Sequence, residues 1–155
     1  VEEGFVGTGD GNGWVRCAIG HRHWGRFGAA GLLVVADGAV LLQHRAPWSH
    51  EGDTWGVPGG ARDSGESAVE AALREAREET GLAPELVSVT RVVVDDHGGW
   101  SYTTVVGTLA ERVAVAPLDG ESAALAWVPL EQVADRRLHP GFAVGWPVHL
   151  RDLTG

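Results

Sequence analysis

Residues 67–81, SAVEAALREAREETG, carry the start, the sidedness and the end of one helix. Ser67 and Glu70 stand at the spacing of a reciprocal N-terminal cap, and Gly81 supplies a left-handed stop. At about 100° per residue, Val69, Ala72, Leu73 and Ala76 gather into an apolar stripe that needs a partner surface. Runs rich in β-branched and apolar residues flank the helix on both sides. GAAGLLVVAD (28–37) and AVLLQHR (39–45) precede it, separated by Asp37-Gly38, a hairpin signal. ELVSVTRVVVDD (85–96) and SYTTVVGTLAE (101–111) follow, joined by HGGW, and AALAWVPL (123–130) reads as a further short strand. A helix among strand pairs predicts an α/β sandwich with a mixed sheet. Residues 46–66 read as loop from their Gly, Pro, Ser and Asp content. Pro129 is expected to open a short helix through Val133, and GFAVGWPVHLRDL a terminal helix broken near Pro147.

The same helix holds an apparent contradiction. Glu75, Glu78 and Glu79 stand at i, i+3 and i+4, where like charges repel by about 0.2–0.5 kcal/mol per pair. The angular count places them about a third of a turn from the apolar stripe, at the border of the buried face. A solvated Glu/Arg face is the bland meaning of EAREE. A hard divalent cation on oxygen ligands is the alternative, and Mg²⁺ accepts a few carboxylates together with water and substrate phosphates. Pro58-Gly59-Gly60 ends the preceding loop with residues that allow close backbone approach, so a carbonyl there is a further oxygen ligand. Arg74 is placed to pair with Glu70 and Glu78 at i±4, or to turn inward and hold a neighbouring carboxylate.

Composition narrows the partners. The chain has 155 residues, enough for one domain with a real core, and a formal net charge of −9. That charge argues against non-specific binding to nucleic acid or anionic membrane, whereas a polyphosphate can still bind across a cation. There is no Lys, which removes Schiff-base chemistry and the lysine of a Walker loop. Cys17 is the one cysteine, so no internal disulfide framework exists and a reducing compartment is expected. No apolar run approaches the ~20 residues of a membrane-spanning helix. Residues 1–20 read as a loose, acidic, Gly-rich leader without signal-peptide features, its missing Met suggesting a trimmed start. Residues 21–155 read as a single domain, and a cytoplasmic location is the default.

GARDSGESAVEAALREAREETGL, Gly60 to Leu82, resembles the signature of the Nudix hydrolases, G-x5-E-x7-R-E-U-x-E-E-x-G-U with U bulky and aliphatic. Gly60, Glu66, Arg74, Glu75, Glu78, Glu79, Gly81 and Leu82 fall on its fixed or apolar positions. Ala76 departs from it by being small, which is read as a change in packing depth. The resemblance implies the family's α/β/α sandwich with a mixed sheet. It also implies hydrolysis of a pyrophosphate linkage in a nucleoside diphosphate derivative, with Mg²⁺ or Mn²⁺ as cofactor. By similarity Glu75, Glu79 and Glu78 are metal ligands, and the Gly59 carbonyl completes the shell. Arg74 would orient Glu75, and Glu66 would act from the loop–helix junction through water or a salt bridge. The general base varies within the family between a box glutamate and a carboxylate of a distant loop. Glu121, in PLDGESAALAW, is the expected acid of the second kind, with an exposed loop acid as the plain alternative.

Substrate choice lies outside the box. The proline associated with ADP-ribose hydrolases is absent from DDHGGW. The second Arg of the coenzyme A pattern is missing beside Arg45, and so is the motif of NADH hydrolases. Diadenosine polyphosphate hydrolases favour a Tyr slightly earlier than Tyr102. Elimination favours a MutT-like nucleoside triphosphate pyrophosphohydrolase giving a monophosphate and pyrophosphate. ADP-ribose, a dinucleotide or a nucleotide sugar is the alternative substrate, and a non-catalytic nucleotide-binding module is the reading from another class. Trp100 or Tyr102 would stack on a base and Arg45 would contact phosphate. The expected partner is thus a small nucleotide, with neither nucleic acid nor membrane, and a homodimer stays open. One cluster stands apart from this scheme: CAIGHRHWG brings Cys17, His21 and His23 together. A zinc site usually wants four ligands and a second Cys, so the cluster reads as a decayed metal knuckle or a polar lead-in to a strand.

Overall fold

A computed structural model describes residues 9–120 and 122–155. Its strands in chain order are β1 (Trp14–Arg16), β2 (Arg22–Trp24), β3 (Ala29–Ala36), β4 (Ala39–Arg45), β5 (Trp55–Gly56), β6 (Gly59–Ala61), β7 (Ser88–Asp96), β8 (Ser101–Thr108) and β9 (Ser122–Pro129). Helix α1 (Ala68–Thr80) lies between β6 and β7, and α2 (Pro140–Thr154) closes the chain. The reciprocal cap at Ser67 and Glu70 and the left-handed stop at Gly81 are both formed. Asp37 and Gly38 take positive φ of 49° and 71°, the conformation that matches a two-residue turn to strand twist.

β3 is the axis of a seven-stranded mixed sheet. It runs parallel to β8 from Ala29↔Tyr102 to Val35↔Thr108 and is buried on both faces. That burial explains its unbroken apolar sequence. On its other side β3 pairs with β4 only at Val35↔Val40 and Ala36↔Ala39. Beyond that point the two strands part. β6 takes the place beside β3, at Ala29↔Ala61 to Gly31↔Gly59, and β5 the place beside β4, at Gln43↔Gly56. The sheet is therefore forked, and the residues expected to be pure loop line the fork.

Each face carries a core. α1 lays Ala71, Ala72 and Ala76 on Ala30, Leu32, Val34 and Val105, and only small side chains let it settle that closely. Ala76, the small residue of the box, is 1% exposed there. The opposite face packs Leu33, Val40, Leu42 and Val106 against Val133 and Trp146.

Three expectations need correction. α2 runs through Pro147 without a break. The proline removes one backbone hydrogen bond, but Phe142, Trp146, Leu150 and Leu153 pack on the second core and keep the helix continuous. The strand expected from residue 85 begins at Ser88, because Pro84 opens a one-turn 3₁₀ segment first. The leader is not loose over its described part. β1 pairs with β2, and the Gly11 amide donates to the Asp63 carboxylate at 2.9 Å.

Candidate active site

α1 points its glutamates at the fork. Glu79, 7% exposed, bridges the two branches: its Oε1 accepts from Gln43 Nε2 on β4 at 3.1 Å and from the Gly59 amide on β6 at 3.2 Å. One turn earlier, Glu75 lies against β6 so closely that a Cβ on Gly60 would sit 2.6 Å from its carboxyl carbon. Glu78 reaches outward and is half exposed. The fan predicted at the border of the buried face is thus graded from Glu79 inside to Glu78 outside.

Arg74 organises the entrance. Its guanidinium grips Glu66 with two bonds of 2.7 and 3.0 Å and donates to the Ala61 carbonyl at 3.1 Å. It also meets Glu75 at 3.2 Å, Glu78 at 3.4 Å and Asp63 at 3.5 Å. The i−4 partner expected for it, Glu70, is instead consumed by the cap, where Glu70 accepts from the Ser67 amide at 2.8 Å. Glu66 receives the planar fork because the 62–66 loop folds back over the helix start. Arg62 donates twice to the Glu66 carbonyl, at 3.1 and 2.8 Å, and the Asp63 amide donates to the Glu66 side chain at 3.0 Å.

The electrostatics separate the carboxylates into two sets. The Arg74 hydrogen bonds hold Glu66 below the usual carboxylate range. Burial pushes Glu75 up and pushes Glu79 well up, the Glu75 charge adding to the second shift. Each carboxyl's charge bears on the ionisation of the other. Among the described residues no Arg pairs with Glu79, whose partners are a neutral amide and a backbone N–H. An ionised carboxylate so placed is costly unless a cation compensates it. Oxygen donors at a concave edge, partly neutralised from outside by Arg74, fit a hard dication of the Mg²⁺ kind. Gly59 joins this set through its amide, which donates to Glu79 at 3.2 Å, and not through the carbonyl expected as a ligand.

Gly60→Ala tests the closeness of this packing. The new methyl would push the Glu75 carboxylate out of its place, so kcat should fall at least tenfold, which is about 1.4 kcal/mol. The helix content of the variant, read by circular dichroism, should not change.

The other expected residues divide. Arg45 lies at the end of β4, beside β9, and its Nε donates to the His50 carbonyl at 2.8 Å. The Tyr102 hydroxyl lies over Gly31 and Val57, within the electrostatic reach of both Glu79 and Arg45. Trp100 lines a cavity of about 410 Å³ with Arg26, Phe27, Val94, Asp96 and Ser101. That cavity adjoins the box loop, since the Arg62 amide donates to the Gly28 carbonyl at 2.9 Å. Glu121 lies outside the described residues. Its loop nonetheless reaches the site: Ser122 Oγ touches Gln43 Nε2 and donates to Asp119 at 3.2 Å, and the Asp119 charge raises Glu79 further.

Sequence reasoning missed Gln43 and Asp63. Gln43 had one signal, the first polar residue after the apolar run Ala39–Leu42 of β4, and it is buried. Asp63 had none, because only the folded loop sets it beside Arg74.

The family model described as NUDIX domain matches residues 25–145. A Mycobacterium tuberculosis protein, provisionally named 8-oxo-dGTP diphosphatase 3, is 52% identical over 149 residues, covering 89% of this chain and 68% of that protein. A nucleoside triphosphate pyrophosphatase/Nudix hydrolase fusion protein of Bifidobacterium longum is 44% identical over 88% of this chain, which spans 30% of that protein's length. The crystal structure of a Nudix hydrolase from M. smegmatis, RenU, superposes with a TM-score of 0.84 at 52% identity, covering 93% of this chain and 95% of that one.

Proposed function

The chain belongs to the Nudix hydrolase family, whose members hydrolyse phosphoric anhydride bonds, and on that premise we propose that it converts a nucleoside triphosphate to a monophosphate and pyrophosphate with Mg²⁺ or Mn²⁺. The observation that carries the metal is Glu79, a buried carboxylate beside Glu75 and without a cationic partner among the described residues. Glu75, Glu79 and the more exposed Glu78 would hold the ion. When bound, it supplies neutralisation of phosphate charge and acidification of water. The residues of the chain do the positioning. Arg74 fixes Glu75 from outside, Glu66 fixes Arg74, and the amide of Gly59 and Gln43 fix the inner carboxylate. The base is a carboxylate near this cluster. The proximity of the 119–122 loop supports an acid from that loop, Glu121 as expected or Asp119, as well as a box glutamate.

The nucleoside triphosphate is supported by the names of the two relatives, one of which specifies an oxidised guanine nucleotide. The cavity at Trp100 offers an aromatic wall beside the box loop, suited to stacking a base. Arg45 lies within electrostatic reach of Tyr102, as does Glu79, and would meet phosphate there. A substrate panel decides. Canonical and 8-oxo nucleoside triphosphates, ADP-ribose, dinucleotides and nucleotide sugars are compared by kcat/KM with Mg²⁺ and with Mn²⁺. A triphosphate should lead, and a nucleotide sugar or dinucleotide in first place would overturn the substrate assignment.

pH provides a further check on the metal. A carboxyl whose pKa is raised by folding binds more protons in the native state, so ionising it costs stability as pH rises above the unfolded value near 4.5. Metal must displace that proton. Mg²⁺ affinity by calorimetry should therefore strengthen from pH 5.5 to pH 8, with protons released on binding. An affinity independent of pH would leave Glu75 and Glu79 out of the site.

A further inference from the structure

A second group of metal-ligating side chains lies away from the glutamates, at the junction of two turns. The β1–β2 turn is held by the Cys17 amide on the His21 carbonyl and the Gly20 amide on the Cys17 carbonyl, both at 2.9 Å. It docks on the β7–β8 turn through the Ala18 amide, which donates to the Gly98 carbonyl at 2.7 Å. Gly98, at φ 75°, is needed for this approach, because a Cβ there would come within 2.6 Å of the Ala18 Cβ. The contact brings Cys17, His23 and His97 together with one ligand atom from each within 4.8 Å of the others.

The chemistry of this trio is that of a metal site. His23 Nε2 is buried and has no hydrogen-bond partner, and a buried imidazole nitrogen without a partner is costly. Burial and the neighbouring His97 lower the His23 pKa. Its plane is fixed by stacking on Trp100 at 4.0 Å and 9°. His97 binds Asp95 through Nε2 at 2.9 Å, leaving Nδ1 as its second nitrogen, the carboxylate–histidine arrangement that orients metal ligands. The Cys17 side chain is buried beside both rings.

We propose that Cys17, His23 and His97 bind a zinc-class transition-metal dication, with water in the fourth position, pinning the β1–β2 hairpin to the turn that carries Trp100. Tetrahedral zinc with one sulfur and two nitrogens sets its ligands roughly 3.3–3.8 Å apart, so the group needs to close by about 1 Å. The Cys17 thiol gives up its proton on binding, and uptake strengthens as pH rises. The trio replaces the Cys17, His21 and His23 combination suggested by local spacing. His21 is exposed, and His97 arrives from the β7–β8 turn.

Co²⁺ substitution separates this site from the glutamates, because only a thiolate ligand gives a sulfur-to-cobalt charge-transfer band. Reduced protein titrated with Co²⁺ should show that band together with intense tetrahedral d–d absorption, saturating at a single equivalent. Cys17→Ser should abolish the band, and His23→Gln or His97→Ala should remove the tetrahedral intensity. Asp95→Asn, which leaves every ligand in place, should weaken affinity about 10–100-fold. Glu79→Gln should leave the band unchanged, so the outcome does not depend on the catalytic metal. A folded wild type that gives no thiolate band, or a band unchanged in both histidine variants, overturns the site.

Discussion

Glu79→Gln should lower kcat about a thousandfold, roughly 4 kcal/mol of transition-state stabilisation, while making the metal-free protein more stable. The two halves of this expectation share one cause. Glu79 spans the forked sheet and accepts from Gln43 and the Gly59 amide. Burial and the charge of Glu75 penalise its ionised form. Glutamine keeps the volume and one acceptor oxygen but removes the buried charge, so the fork stays closed without electrostatic cost. What disappears is the anionic ligand proposed for the cation. Thermal unfolding of apo protein should show a higher Tm for the variant under conditions that ionise wild-type Glu79, and the gap should shrink as falling pH returns its proton. Steady-state hydrolysis of the best substrate reads the other half. Wild-type turnover in the variant would remove Glu79 from the mechanism.

Arg74→Lys should damage both stability and rate, because one planar fork serves several partners. The guanidinium holds both Glu66 oxygens, the Ala61 carbonyl and the Glu75 carboxylate at once. An ammonium cannot reproduce the paired bonds. The side chain is 30% exposed, so water compensates part of the loss, and about 2 kcal/mol is expected. For a chain of this size that corresponds to a Tm lower by roughly 4–8 °C. The Arg74 bonds depress the Glu66 pKa, so their stabilisation is fully present above the unfolded value near 4.5. It fades as pH falls through the lower folded value, where wild type and variant should converge. Loss of the Glu75 anchor should reduce kcat about tenfold or more. A Tm difference that stayed constant from pH 7 to pH 3 would refute the role given to Glu66.

The distribution of effects follows the fold. Residues that touch the cation edge are expected to lose rate with little change in structure, as for Gly60→Ala. The partners that hold those residues lose both.

Helix α1 was legible because its information is local. Ser67, Glu70 and Gly81 mark the ends through backbone chemistry within a turn, and the apolar stripe follows from a fixed angular period. The glutamate fan was legible for the same reason, as was the Asp37-Gly38 hairpin. The sequence alone therefore determined a helix edge loaded with acid and the strands around it. Tertiary structure decided which carboxylate is buried, through the short β3–β4 pairing that opens the fork for Glu79. It decided that Arg74 spends itself on Glu66 and that Gln43 joins the site. It also gathered Cys17, His23 and His97 from two distant turns. Those outcomes depend on contacts between residues far apart in the chain, which local propensity cannot encode. They depend too on desolvation, which exists only once the sheet and helix have closed over the groups concerned.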